Sequence, residues 1–196
     1  GNSEEYPPAT IAILRLSMFI AINILKIFYI MILGILNLQF GVIFMPSESI
    51  ILTIDQKTLD LYTKYYFLEH PRAKKIPIEK PWHPSINTWM ILPRIQMNAL
   101  KQKWKEFVKF WIKINKMDNR QLDDFDLIVT VFFNTKRRHD VDNQIPKFIL
   151  DGLTEAGTIV DDDEKHLHSL TLKTGYDKEN PRTEFEFIIH EHTENK

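Results

Sequence analysis

The sequence contains no cysteine in its 196 residues. This absence excludes disulfides, iron–sulfur clusters, thiolate-bound zinc and cysteine nucleophiles, and it agrees with a cytoplasmic location. A large net charge is also lacking, since 25 Lys and Arg nearly balance 26 Asp and Glu. A uniformly basic nucleic-acid-binding protein is therefore excluded, and only a local excess of basic residues could contact a phosphate backbone.

Acidic residues are missing from the first part of the chain, between positions 6 and 47. This part includes the uncharged run Ile27–Met45, which at 19 residues is long enough to cross a bilayer as a helix. Three interpretations are open, namely a segment foreign to the natural protein, a membrane anchor and a signal peptide. The anchor would use the apolar residues 10–45. A signal peptide is disfavoured because the run is long and no small-residue cleavage site follows it.

We favour a foreign segment, because the chain begins with Gly1 and because Met45 directly precedes a composition typical of soluble domains. The chain is accordingly divided into an apolar segment, residues 1–45, and a single domain, residues 46–196. The domain is predicted to be cytoplasmic, and membrane association is expected only if the apolar segment is native.

The domain is predicted to have an α/β (α+β) fold, with a small mixed sheet flanked by helices. Runs rich in β-branched residues, or apolar residues alternating with polar ones, indicate strands, and a 3.6-residue apolar repeat indicates helices. The predicted strands span residues 49–54, 127–133, 167–174 and 184–189, and the predicted helices span residues 99–116 and 146–156. Five prolines between residues 70 and 93 predict a mostly extended loop there.

Carboxylates are concentrated after the second predicted strand. Asp140 and Asp142 are two residues apart, so an extended backbone at the end of that strand would direct both to one side. A further acidic run, Asp161–Asp163, follows the helix that returns the chain toward the sheet. Three or four converging carboxylates in a chain without cysteine favour a hard, oxygen-preferring ion such as Mg²⁺ or Mn²⁺. The alternative is that these acids lie in solvated turns and loops, the usual environment of an Asp-x-Asp pair.

Basic residues directly precede these carboxylates. Lys136, Arg137 and Arg138 place three cations beside the first of them. Cations that bind phosphate next to carboxylates that bind metal are typical of metal-assisted phosphodiester cleavage. Upstream, residues 94–120 contain eight basic and two acidic side chains. The first predicted helix carries a row of lysines at positions 101, 105, 109 and 113, which either contacts DNA or forms an ordinary solvated face.

Together these residues closely resemble the signature of the RusA-type Holliday-junction resolvases, which are crossover junction endodeoxyribonucleases. The resemblance is carried by Arg137–Asn143 (Arg-Arg-His-Asp-Val-Asp-Asn), Lys147, Asp151-Gly-Leu153, Ala156-Gly157 and Val160-Asp-Asp162. It extends from about Pro81 to the last predicted strand and includes Pro84-Ser-Ile-Asn87, which is similar to a Pro-Ser-x-Asn segment of the family. The composite of these motifs is far more specific than any one of them.

The resemblance implies a RusA-like fold and a dimeric, Mg²⁺-dependent endonuclease that nicks four-way DNA junctions symmetrically, leaving a 5′-phosphate and a 3′-hydroxyl. The setting would be recombination or repair, for example in a phage or prophage. By position, Asp140, Asp142 and Asp162 would bind the metal, with Asp161 as the alternate to Asp162. Lys147 resembles a catalytic lysine that neutralises charge on the phosphate. The expected partners are branched DNA and a second copy of the chain.

The DNA contacts expected on this basis come from basic and amide side chains around the carboxylates and on the first predicted helix. They are Lys136, Arg137, Arg138, Lys101, Lys105 and Asn87. The interval from Asp142 to Lys147 is one residue longer than is usual in the family and contains Pro146. This departure leaves a second hypothesis open, a non-catalytic DNA-binding protein that retains the resolvase fold.

Histidines and tryptophans outside the signature are predicted to be solvated or structural. The pairs His166-x-His168 and His190-x-His192 have the proximity of zinc ligands on a strand. No third ligand accompanies either pair in the sequence, so solvated side chains are expected. Trp104 and Trp111 could stack on bases, yet their helical spacing favours the core.

Overall fold

The domain is built on a mixed sheet of four strands. The computed structural model describes residues 48–190, and the apolar segment predicted at residues 1–45 lies outside the described residues. The strands are β1 (Glu48–Asp55), β2 (Phe125–Phe133), β3 (Leu167–Tyr176) and β4 (Arg182–Ile189), in the order β1-β4-β2-β3. β4 is antiparallel to both of its neighbours, and β2 is parallel to β3. The predicted α+β class with a small mixed sheet is therefore confirmed.

Helices and the loops between them connect these strands. They are α1 (Gln56–Glu69), α2 (Ile86–Trp89), α3 (Arg94–Ile114) and α4 (Lys147–Glu155), together with a 3-10 helix at Val141–Gln144. Both predicted helices are confirmed, although α3 begins directly after Pro93, five residues earlier than predicted. Helix α4 ends as the sequence indicates, because Gly157 follows its cap residue with φ at 70°, a conformation that favours glycine.

Helix α1 was not predicted from the sequence. Its start is fixed by Asp55, whose Oδ1 accepts hydrogen bonds of 2.8 Å from both the backbone N–H and the hydroxyl of Thr58. Only Leu59 and Tyr62 are buried among its 14 residues. The apolar repeat is therefore too sparse to indicate a helix, whereas the N-terminal cap is a local feature that could have done so.

The core groups the inward side chains of the sheet with α1, α3 and α4. Along β2, every second residue from Phe125 to Phe133 is buried, which is the alternation expected of a strand with one covered face. Trp104 is 3% exposed, and Trp111 is fully buried and donates its Nε1–H to the carbonyl oxygen of Thr53 at 3.0 Å. The prediction that both tryptophans are core residues is confirmed.

Helix α3 is amphipathic and is the longest helix in the described residues. Its buried residues are Trp104, Phe107, Val108, Trp111 and Ile112. Lys101, Lys105 and Lys109 lie off this buried face. Among residues 48–190, no helix combines the length and the apolar composition that a bilayer span requires.

Helices α3 and α4 approach each other closely at Gly152. A Cβ placed on Gly152 would lie 2.8 Å from Cβ of Val108, whose branched side chain is held stiffly on its helix. We expect Gly152→Ala to lower the free energy of unfolding by about 1–3 kcal/mol, as overpacking of a core does. Urea denaturation measures this change. The loss should appear although alanine is the better helix former by about 1 kcal/mol.

A double-mutant cycle with Val108→Ala tests the cause of that loss. The two Cγ atoms of Val108 would lie 3.0 and 3.1 Å from the added Cβ, and their removal should make the double variant cost less than the sum of the two single variants. A Gly152→Ala variant as stable as wild type would contradict the close approach of the two helices.

Candidate functional site

One part of the site predicted from the sequence lies at Lys147, the first residue of α4. The ammonium of Lys147 lies 3.0 Å from Oδ1 of Asp151, one turn further along the helix, and 2.9 Å from Oδ2 of Asp162. Asp162 belongs to the segment that connects α4 to β3. The fold therefore holds one cation between two carboxylates that come from different parts of the chain.

A second lysine also pairs with Asp151. Lys101 of α3 lies 2.6 Å from Oδ2 of Asp151. Burial tends to raise the pKa of Asp151, but hydrogen bonds from Lys101 and Lys147 outweigh it and hold that pKa below its ordinary value. Burial tends to lower the pKa of Lys147, yet hydrogen bonds to Asp162 and Asp151 outweigh it and raise that pKa. Lys147 is therefore a protonated cation at neutral pH.

The three consecutive aspartates at positions 161–163 have different surroundings. Oδ1 of Asp161 accepts a hydrogen bond of 2.8 Å from the backbone N–H of Asp162. Oδ1 of Asp163 accepts one of 3.0 Å from the backbone N–H of Lys165. The carboxylates of Asp161 and Asp163 thus interact with their own loop, while that of Asp162 reaches Lys147. Asp162 is therefore the one of the three that pairs with Lys147, and its role as a metal ligand stays a prediction.

Asp140 and Asp142 do not lie at the end of a strand, so that prediction is wrong. β2 ends at Phe133, and Asp142 lies within the 3-10 helix that starts directly after Asp140. Residues two apart do not share a face when the backbone has three residues per turn. The 3-10 helix ends at Gln144, and its cap residue Ile145 has the extended conformation that a following proline favours.

The basic residues that precede Asp140 are exposed. Arg138 lies 3.7 Å from Asp140, but the two side chains are 94% and 60% exposed, so this pair contributes little to stability. The ammonium of Lys136 lies 5.2 Å from the ring centre of Tyr176. Arg137 lines a neighbouring cleft. The contact of these residues with DNA stays a prediction.

Lys101 and Lys105 have partners within the domain. Lys105 and Lys109 both pair with Glu155 at the end of α4. The hydrogen bond from Lys105, which has the largest effect, and that from Lys109 lower the pKa of Glu155 to about 2. The lysine row therefore faces acidic residues of α4, which the pattern of α3 alone does not reveal. Contact of Lys101 and Lys105 with DNA stays a prediction.

A cleft of about 670 Å³ lies beside the 3-10 helix and combines aromatic rings with cations. Its aromatic residues are Trp82, His83, Trp104, Phe133 and His139, and its cations are Lys75, Lys80, Lys103 and Arg137. Three of these rings, those of His83, Trp104 and Phe133, are at most 4% exposed and are therefore not available to stack on a base. Asn87 is exposed on α2, which lies next to the 3-10 helix.

The carboxylates predicted to bind Mg²⁺ supply the oxygen donors that this ion prefers. Within residues 48–190, Asp140, Asp142 and Asp162 are not among the groups of three whose ligand atoms all lie within 4.8 Å of one another. Their donor chemistry therefore fits a hard cation, while the exposed Asp140 and Asp142 would have to move for all three to bind one ion.

One compact group of metal-ligating side chains does occur in the described part of the chain. It consists of Asp124, His168 and His190, whose ligand atoms lie within 4.8 Å of one another. His168 is exposed, as predicted, but the expectation that no third ligand accompanies the pairs is wrong for His168 and His190, since Asp124 contacts both. The sequence contains a local indication, because two aspartates directly precede β2 and a His-x-His pair begins β3. His192 lies outside the described residues.

The structure thus brings Lys147 together with Asp162 and Asp151, and Asp151 with Lys101. It leaves Asp140 and Asp142 exposed on a separate turn. The sequence matches no model of a known protein family, and no curated protein matches it significantly.

Proposed function

We propose that the domain is a Mg²⁺-dependent, structure-selective DNA endonuclease of the RusA-type Holliday-junction resolvase class. It would resolve four-way junctions by paired symmetric nicks in DNA recombination or repair. The observation that carries this proposal is the position of the Lys147 ammonium between Asp162 and Asp151. All three residues belong to the motifs through which the sequence resembles these resolvases.

The proposed role of Lys147 follows from its charge state and its neighbours. A protonated lysine beside the scissile phosphate neutralises the negative charge that develops there during cleavage. Asp151, itself held by Lys101, positions Lys147 through a hydrogen bond from the ammonium. Asp162 is the carboxylate on the other side of the ammonium, so phosphate-binding and metal-binding groups would be adjacent.

The metal of this proposal is Mg²⁺, with Mn²⁺ as an alternative, and Asp140, Asp142 and Asp162 would hold it. Bound there, the ion would supply the positive charge that polarises the phosphodiester and activates water. The all-oxygen donor set is the one that these ions select.

DNA recognition in this proposal depends on shape rather than on base sequence. The exposed Lys136, Arg137 and Arg138 would contact phosphates, with Asn87 nearby and with Lys101 and Lys105 contributing from α3. The two-fold symmetry of a homodimer would match the two-fold symmetry of the junction and produce two equivalent nicks. We expect the enzyme to act in the cytoplasm, where such DNA would be found.

A junction-cleavage assay with the full chain tests the proposal. Wild-type protein should nick a synthetic four-way junction in Mg²⁺ but not in EDTA, and it should leave a linear duplex of the same sequence largely intact. Asp142→Asn should lower the nicking rate by at least about 100-fold, and Asp118→Asn, which changes another exposed carboxylate, serves as its control. Equal nicking by wild type and Asp142→Asn would contradict the metal-binding role of Asp142.

A non-catalytic DNA-binding protein is the second candidate. It is favoured by the separation of Asp140 and Asp142 from Asp162 in the described structure. This alternative predicts tight binding of the junction in a gel-shift assay without nicking in either Mg²⁺ or Mn²⁺. That combination of results would overturn the nuclease proposal and support the alternative.

A further inference from the structure

Three side chains converge where three neighbouring strands meet. Asp124 directly precedes β2, His168 is the second residue of β3, and His190 directly follows β4. Because β2 is parallel to β3 and antiparallel to β4, the start of β2, the start of β3 and the end of β4 lie at one end of the sheet. Backbone hydrogen bonds hold the three chain segments together there. The N–H of His190 donates to the carbonyl oxygen of Asp124 at 2.9 Å, and the N–H of Phe125 donates to the carbonyl oxygen of His166 at 3.0 Å.

His168 occupies an irregularity in the strand pairing. Phe125 is paired with Leu167 and Asp126 with Ser169, so His168 is the extra residue of a β-bulge. A bulge redirects the side chain of the extra residue and is common next to functional sites. Here Nε2 of His168 points to Oδ1 of Asp124 at 2.8 Å.

His190 contacts a carboxylate through each of its ring nitrogens. Its Nδ1 lies 3.0 Å from Oδ1 of Asp124, and its Nε2 lies 2.9 Å from Oδ2 of Asp126. Two carboxylates therefore fix the orientation of the His190 ring.

We propose that Asp124, His168 and His190 form a binding site for Zn²⁺ that joins the ends of β2, β3 and β4. Two imidazoles and one carboxylate are a common donor set for Zn²⁺, with water completing the tetrahedron. The three ligand atoms already lie within 4.8 Å of one another, and a tetrahedral ion with bonds of about 2.1 Å needs them about 3.4 Å apart. The distances from Asp124 to His168 and to His190, 2.8 and 3.0 Å, therefore need to lengthen only slightly to admit the ion.

The surroundings of His190 are those of a metal ligand with its orientation fixed. A histidine that binds metal through one nitrogen usually donates the other N–H to a carboxylate, which sets the tautomer. Asp126 is in the position of that carboxylate, and its other oxygen accepts a hydrogen bond of 2.6 Å from the hydroxyl of Ser169. Donation of Nε2–H to Asp126 leaves the lone pair of Nδ1 directed at the proposed ion.

The site is distinct from the residues assigned to cleavage and does not depend on the proposed nuclease function. The three ligands come from three strand ends that are far apart in the sequence, so a bound ion opposes their separation on unfolding. A ligand that binds only the folded chain raises its stability in proportion to the logarithm of the ligand concentration. Binding of the ion would therefore stabilise the folded domain.

Titration of the metal-free full chain with ZnCl₂ tests the inference. Isothermal calorimetry should give a site with one Zn²⁺ per chain, and thermal unfolding should occur at a higher temperature with Zn²⁺ than with EDTA. His168→Gln and His190→Gln should each weaken the affinity by at least about 10-fold. His166→Gln is the matched control, because His166 lies two residues from His168 and also contacts aspartates, Asp123 and Asp163.

Two further measurements distinguish the proposed site from other carboxylates and from a loss of folding. Asp162→Asn should retain Zn²⁺ binding, which separates the site from the carboxylates of the proposed nuclease. If the His168 or His190 variants fail to fold, ¹⁵N-edited spectra of wild type with labelled histidines should show Zn²⁺-dependent shifts for those two side chains. The absence of such shifts, a lack of Zn²⁺ binding, or undiminished binding by a folded His168→Gln variant would overturn the inference.

Discussion

Asp162→Asn is expected to lower the rate of junction nicking by more than about 100-fold, whereas Asp161→Asn should lower it by less than about threefold. The two variants remove the same charge at neighbouring positions and therefore control for each other. Their environments differ, because Asp162 pairs with Lys147 while Asp161 accepts a hydrogen bond from its own loop. Single-turnover cleavage of a labelled four-way junction measures both rates.

The loss in Asp162→Asn has two contributions under the proposed function. An amide is a weaker ligand than a carboxylate for Mg²⁺, and the Lys147 ammonium loses one of its two anionic partners. Thermal unfolding and junction binding in Ca²⁺ should remain close to wild type, since the change is isosteric and the side chain is only partly buried. If Asp161→Asn instead has the larger effect on nicking, the assignment of Asp162 is wrong.

The stability of the domain is expected to fall by about 3 kcal/mol between pH 7 and pH 4 through His83 alone. Its side chain is 4% exposed, and burial lowers its pKa from 6.5 to about 4. The neutral ring is also the form that can accept a hydrogen bond at Nε2, to which the backbone N–H of Phe148 donates at 3.3 Å. His83 thus supports the first turn of α4, the helix that begins with Lys147.

The direction of this pH dependence follows from proton binding in the two states. Between pH 6.5 and pH 4 the unfolded chain protonates His83 while the folded chain does not. Stability from the neutral buried ring is therefore complete above the unfolded pKa and declines as the pH falls toward the folded pKa. Each unit of separation between the two pKa values corresponds to about 1.4 kcal/mol.

Urea denaturation at a series of pH values measures this contribution as the difference between wild type and His83→Gln. Glutamine is uncharged throughout and keeps an acceptor for the N–H of Phe148. The variant should therefore show a smaller loss of stability at low pH than wild type. His70→Gln, which replaces an exposed histidine, is the control. Identical pH profiles for wild type and His83→Gln would exclude the buried neutral histidine as the cause.

The elements of the fold were predictable wherever the cause is local in the sequence. The alternation along β2 and the apolar repeat of α3 each reflect contact with a single core, so they appear as periods of two and 3.6 residues. The end of α4 was predictable because Gly157 adopts a conformation that other residues avoid. Helix α1 was missed because burial of Leu59 and Tyr62 alone leaves too weak a repeat.

The candidate site was predictable only in its residue types and motif spacing. The carboxylates and the lysine could be recognised from the motif that resembles the resolvases, and Lys147 with Asp151 follows from helical spacing. The prediction failed at Asp140 and Asp142, because the chain leaves the sheet at Phe133 and forms a 3-10 turn before the proline. No sequence period encodes such a departure from regular structure.

By itself, the sequence determined the class of fold, the positions of the strands and the burial of the two core tryptophans. The tertiary structure decided which charges meet. It joined Asp162, rather than Asp161, to Lys147, gave Lys101 and Lys105 acidic partners on α4, and assembled Asp124, His168 and His190 from three strand ends. The physical reason is that helix packing and strand order bring together residues far apart in the chain, while local propensity acts over a few residues only.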